Sequence, residues 1–170
     1  MVLHVVIASV AAMAGRSVPS IPLSRGGVKA KPVVSATAHA MDMQPAPINP
    51  DWIISGTPHA RMADHSRSGD RAAQTALWDC TAGSFRWFFG WDETVHIVEG
   101  DVHVTAEDGS VHHLRAGDVA YFKAGTWATW RVDAYVRKVA FLRRPFPWPI
   151  ALAYRVKNKL LPSKAPSLAG

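Results

Sequence analysis

From about residue 51 to residue 144 the apolar residues come in short runs, divided by turn residues every eight to twelve positions. That spacing belongs to all-β sandwiches and barrels. The clearest element is a hairpin over residues 101–114. Val102, Val104 and Ala106 alternate with polar residues, Asp108-Gly109 supplies the turn, and residues 111–114 return. Arg115-Ala116-Gly117-Asp118 makes the next corner, residues 119–122 form a strand, and Ala124-Gly125 turns it into residues 126–132. Residues 135–142 form one more strand. Upstream, residues 75–80 and 85–89 read as strands broken at Ala82-Gly83, and residues 93–98 lead into Gly100. The pattern divides the chain into three stretches: 1–50, a hydrophobic N-terminal stretch and a Pro/Ala/Ser-rich linker; 51–144, the barrel; 145–170, a proline-rich stop and a basic amphipathic helix.

The two ends need separate reading. Residues 1–14 are apolar, too short to span a bilayer comfortably, and end in Ala12-Met13-Ala14, a small-x-small site of the kind that closes a signal sequence. No Lys or Arg precedes them, so the basic n-region is missing and a dispensable extension on a cytoplasmic protein is the expected reading. At the other end Pro149 suits the first position of a helix over residues 150–161. That helix carries Leu152, Val156 and Leu160 on one stripe and Arg155 and Lys159 on another. It is expected to pack on the barrel or on a second copy; contact with a membrane surface through Trp148 and the basic residues is the alternative.

The net charge of +6 changes meaning once it is placed along the chain. Residues 1–45 carry +3, residues 46–145 carry −1 and residues 146–170 carry +4. The folded body is neutral and shows no basic stripe, which argues against nucleic-acid binding. A single cysteine, Cys80, excludes an internal disulfide and reads as a small buried hydrophobe.

Two spaced motifs carry the chemistry. In the segment Asp92-Glu93-Thr94-Val95-His96-Ile97-Val98-Glu99-Gly100 a glutamate is followed after six residues by a glycine. Gly117 is followed after five residues by Lys123-Ala124-Gly125. In this order, with a hairpin turn between them, they resemble the two cupin motifs, and the resemblance covers roughly residues 70–143. It implies an all-β cupin barrel (a double-stranded β-helix, or jelly roll, of the RmlC-like kind) with an irregular N-terminal extension and a short C-terminal helix. Trp78, Cys80, Thr81, Gly83, Phe85 and Trp87, then Gly125-Thr126-Trp127-Ala128-Thr129-Trp130, are similar to the small cupins related to the (S)-ureidoglycine aminohydrolase cupin domain and the ethanolamine-utilisation cupin. The resemblance further implies a homodimer.

Metal-binding cupins place two histidines before the glutamate and a third after the second-motif glycine. Here the matching positions hold Trp87, Phe89 and Ala128, and Lys123 replaces the motif proline. Only Glu93 survives, and indole, phenyl and methyl groups ligate nothing, so no metal and no other cofactor is expected in the barrel. Strand alternation puts Trp87, Phe89 and Glu93 inside with Val95, Ile97, Ala128 and Trp130. That makes either an aromatic pocket around one carboxylate, suited to a small amine- or ureido-bearing molecule, or a set of rings that simply plugs the barrel.

An enzyme needs a second polar group beside Glu93, and Lys123, Tyr121 or Arg86 are the candidates. Two functions stay open: a metal-independent enzyme or binder with Glu93 as acid or base, and a non-catalytic ligand-binding or regulatory cupin. His112 and His113 point to opposite faces and cannot share a site, and the length of the turn leaves open which of His103, His112 and His113 face outward; a solvated hairpin is expected there rather than a metal site. His96 has the parity opposite to Glu93 and belongs on the outer face. Asp64, His65 and Ser66 are consecutive, and a catalytic triad is assembled in space rather than in sequence.

Overall fold

The structure, a computed structural model, describes residues 31–160. The elements below belong to the compact unit that begins at Val34; the signal-like stretch 1–14 and the tail 161–170 lie outside the described residues. Among the described residues eight strands form one antiparallel sheet: β1 (Gln44–Pro45), β2 (Ile53–Gly56), β3 (Ala60–Arg67), β4 (Ala73–Phe89), β5 (Asp92–Ala106), β6 (Val111–Arg115), β7 (Val119–Phe122) and β8 (Thr126–Arg143). Their order is β1-β3-β4-β8-β5-β6, with β2 pairing with β4, and β7 with β5. The sheet curls around an apolar core in which Phe85, Val95, Ile97, Val102 and Val136 are fully buried. The all-β expectation for the body holds, and the short strand β1 falls in the stretch expected to be linker.

The main difference from the sequence pattern is that strands expected in pairs are single. Residues 75–80 and 85–89 join as β4, residues 93–98 and 102–106 as β5, and residues 126–132 and 135–142 as β8. Each bends where the pairing register shifts: at Thr81/Gly83 between β4 and β8, and at Ile97/Glu99 and Gly100/His103 between β5 and β8. A bulge adds a residue to one strand and bends it without ending it, which in a sequence looks like a break. The β5–β6 turn is a three-residue loop, closed by Ala106 N–H donating to Ser110 O and Gly109 N–H to Ala106 O, with Gly109 at φ 83°. This loop sets the register His103↔His113 and Val104↔His112.

On the outer face Asp79 is 1% exposed and ties three strands together. Arg61 of β3 grips it through Nε and Nη2 at 3.0 and 2.8 Å; from β8, Tyr135 donates at 2.9 Å and Arg137 at 3.2 Å. Burial pushes the Asp79 carboxyl up, but the hydrogen bonds from Arg61, Tyr135 and Arg137 outweigh it and hold the group below its ordinary value of 3.8. A carboxylate depressed by folding stabilises fully above its unfolded value and loses that contribution as pH falls through the lower folded value. Asp79→Asn is therefore expected to flatten the acid limb of a stability–pH curve below about pH 4. Acid titrations of the two proteins by circular dichroism that run parallel there would contradict this.

The helix α1 spans Trp148–Leu160 and includes Pro149 in its first turn. None of its residues is fully buried; Ala151 is half-buried and the Tyr154 ring lies 5.9 Å from Phe146. Among the described residues no helix is long and apolar enough to cross a membrane. Cys80 is wholly buried, and burial pushes its thiol up to about 12.

Candidate functional site

The inner face of the barrel has two unlike halves. In one the aromatics pack on each other: Phe89 stacks on Phe122 at 4.3 Å, Trp130 lies 5.6 Å from Phe122, and Phe85 stacks on Trp130 at 6.5 Å. Phe89, Ala128 and Trp130 are all buried there. In the other half a cavity of about 280 Å³ opens between Met62, Trp78, Trp87, Glu93, Lys138 and Leu142. The plug and the pocket therefore coexist, with Phe89, Ala128 and Trp130 on the packed side and Trp87 and Glu93 on the open side.

The polar end of the cavity is an ion pair. Lys138 Nζ donates to Glu93 Oε1 at 2.7 Å, and the two side chains are 5% and 8% exposed. The same ammonium sits 4.4 Å from the Trp130 ring centre and 4.9 Å from that of Trp78. Lys138 lies opposite Ile97 and Glu93 opposite Leu142, so the lysine stem runs past Val95 and Ala140 to reach the carboxylate. Glu93 and two ring faces thus compensate a charge that burial would otherwise make costly. Trp78 Nε1 and Trp130 Nε1 are buried and find no acceptor among the described residues.

Lys138 is the residue that sequence reasoning missed, and the expected neighbours of Glu93 are corrected accordingly. Tyr121 is on the outer face, 61% exposed, with its hydroxyl donating to Asp92 Oδ1 at 2.9 Å. Lys123 is exposed in the turn before β8, where its carbonyl accepts from Thr126 Oγ1. Arg86 is exposed and stacks on Trp127 at 4.5 Å. A signal for Lys138 was present. Buried residues on β8 fall at Ala128, Trp130, Val132, Val136, Lys138 and Ala140, all of one parity, with exposed Ala134 the one gap at the bend. The expectation of a break at Asp133-Ala134 cut that series short.

The cupin metal positions do not fit a metal ion. Trp87, Phe89 and Ala128 offer no donor atom, and Glu93 Oε1 is already held by an ammonium. Among the other histidines, His96 is exposed on the outer face and His65 Nδ1 lies 3.1 Å from Ser66 Oγ. His112 pairs with inward-facing Val104, while His103 and His113 pair with each other on the outer face.

Residues 67–140 match the EutQ-like cupin domain family. Among solved structures, the chain is similar to a protein of unknown function of the DUF861 family from Pseudomonas syringae pv. tomato, with 24% identity and a TM-score of 0.56 over 61% of this chain. The match spans 45% of the length of that protein. A predicted oxalate decarboxylase from Thermotoga maritima matches at 16% identity and a TM-score of 0.51, over 66% of this chain and 99% of its own. A putative ethanolamine utilization protein from Salmonella typhimurium matches at 17% identity and a TM-score of 0.48, over 61% of this chain and 97% of its own. No curated protein matches the chain. At these identities the likeness concerns the fold.

Proposed function

Since the chain belongs to the cupin superfamily, and Glu93, the one cupin ligand position it keeps, is paired with Lys138, we propose that it binds a small ureido- or amide-bearing metabolite in the cavity beside Glu93. The observation that carries this reading is the pairing of unsatisfied donors with an available acceptor. Lys138 has N–H groups beyond the one given to Glu93, and Trp78 Nε1 lacks an acceptor. Glu93 Oε2 is the complementary acceptor. A ureido or amide group presents a carbonyl and N–H groups on one edge and satisfies both sides at once. The aromatic walls accept its flat face, and a cavity of about 280 Å³ suits a molecule of few heavy atoms.

Metal-independent turnover is a second reading, favoured by the direct contact of a carboxylate with an ammonium, the minimum for acid–base chemistry. A non-catalytic, regulatory cupin would use the same contacts without it. N-carbamoylglycine titrated against the full chain should give a saturable change in tryptophan fluorescence, weakened at least about tenfold by Trp87→Ala. Ammonia released on prolonged incubation would establish turnover. Absence of saturable binding by N-carbamoylglycine and by simple amides would sink the proposal.

The protein is further proposed to be a homodimer paired through its sheet. Thr94 lies between Phe141 and Tyr121 in register on the outer face, and these rings are 50% and 61% exposed beside Val119 at 65%. Burying such a row against its own copy covers apolar surface symmetrically. Light scattering at micromolar concentration should give a dimer mass, and Phe141→Glu a monomer. A monomeric parent protein would refute it.

A further inference from the structure

The outer face of the β5–β6 hairpin carries a cluster that the cavity does not use. The register His103↔His113 stacks the two imidazoles at 4.0 Å with planes 17° apart. Asp101, two residues before His103, is on the same face, and its Oδ2 lies 2.5 Å from His113 Nε2. One atom each of Asp101, His103 and His113 falls within 4.8 Å of the others. Asp133 closes the far side, with Oδ2 at 3.4 Å from His103 Nε2. Both rings turn the same nitrogen toward a carboxylate.

We propose that His103, His113, Asp101 and Asp133 form a binding site for one divalent transition-metal ion of the zinc class. Two imidazoles and one or two carboxylates are an ordinary donor set for such an ion, and the harder magnesium and calcium ions would prefer oxygen alone. Metal–nitrogen and metal–oxygen bonds of about 2.0–2.2 Å put tetrahedral ligands roughly 3.3–3.6 Å apart, so Asp101 and His113, 2.5 Å apart, must open while the rest of the trio, within 4.8 Å, closes and Asp133 swings in from beside His103. All four side chains are partly exposed, from 26% for His103 to 54% for Asp133, and have room to rotate. The bent corner of β5 just before this face holds Asp101 against the hairpin, so three of the four groups sit on neighbouring, hydrogen-bonded strands. This expectation replaces that of a merely solvated hairpin.

Two arginines oppose the ion and make the proposal sharper. Arg131 Nε lies 3.6 Å from Asp133, and Arg115 Nη2 lies 3.0 Å from His113 Nδ1. A guanidinium only donates, so Nδ1 accepts and the ring proton sits on Nε2, facing Asp101. Coordination through Nε2 moves that proton to Nδ1, and Arg115 must then leave. Loss of Arg115 should therefore strengthen metal binding, whereas it would weaken a site in which the arginine merely orders the histidine.

Calorimetric titration of metal-free full-length protein with zinc chloride should show one ion per chain. Cobalt should give the visible absorption of a tetrahedral site. His103→Ala, His113→Ala and Asp133→Asn should each weaken zinc binding by more than about tenfold. Arg115→Gln should tighten it severalfold. His112→Ala, the adjacent histidine on the other face, should leave it unchanged. Zinc should raise the melting temperature of the parent and the His112 variant but not of the His103 or His113 variants. The proposal is overturned if no stoichiometric zinc binds, if binding survives in both His103→Ala and His113→Ala, or if Arg115→Gln weakens it.

Discussion

Replacing Lys138 by methionine is expected to lower the unfolding free energy by about 3–5 kcal/mol, because it strands the Glu93 carboxylate inside the barrel without its cation. Glu93 is 6% exposed and its Oε1 is held by Lys138 at 2.7 Å. Methionine keeps most of the stem volume past Val95 and Ala140, so the loss reports the charge and not a cavity. Glu93→Gln should be costly in the same direction, since it leaves the ammonium facing two tryptophans and an amide. The double change Glu93→Leu with Lys138→Met removes both charges together and should recover most of the loss, as buried pairs exchanged for apolar residues often do. Urea unfolding of the parent, Glu93→Leu, Lys138→Met and the double variant closes the cycle and gives the coupling energy. A loss of less than about 1 kcal/mol for Lys138→Met would be the value of a solvent-exposed pair and would remove the premise of a desolvated site.

The residues that sequence reasoning placed inside the barrel are those whose strands it followed without interruption. Glu93, Val95 and Ile97 alternate over one uninterrupted stretch of β5, and Trp87 and Phe89 over one stretch of β4. Lys138 has the parity of the buried residues of β8, but polar Asp133 and small Ala134, both exposed at the bend, looked like the end of a strand. Tyr121 and Lys123 were attractive because they adjoin the second motif. Alternation within β7 turns Ala120 and Phe122 inward, Phe122 opposite Glu93, and so sends Tyr121 out. The histidine cluster depended on a loop length that composition does not fix: a two-residue turn would have changed which residues oppose His103. What stayed hidden in each case was register, a property of two strands that neither strand carries alone.

The second large effect is expected at Gly100, where β5 bends. Its φ is 69°, and a Cβ built there would lie 2.0 Å from the Tyr135 carbonyl oxygen and 2.8 Å from its carbon. No side-chain rotation relieves a clash with backbone, so β8 would have to move away from β5 at the place where Gly100 pairs with Val136. The same glycine also accepts the Ala116 N–H at 3.2 Å, so displacing it disturbs the turn on its other side. Gly100→Ala should thus cost more than about 4 kcal/mol, the range of the most severe single substitutions, or prevent folding. Gly109→Ala provides the comparison. Gly109 has φ 83° but nothing within 4 Å of a built Cβ, so only the left-handed conformation is penalised, at about 1–2 kcal/mol. Urea unfolding with near-ultraviolet circular dichroism separates the two. Equal losses would mean that backbone conformation alone demands glycine at position 100; a much greater loss there would show that the close approach of β5 and β8 is what the motif glycine permits.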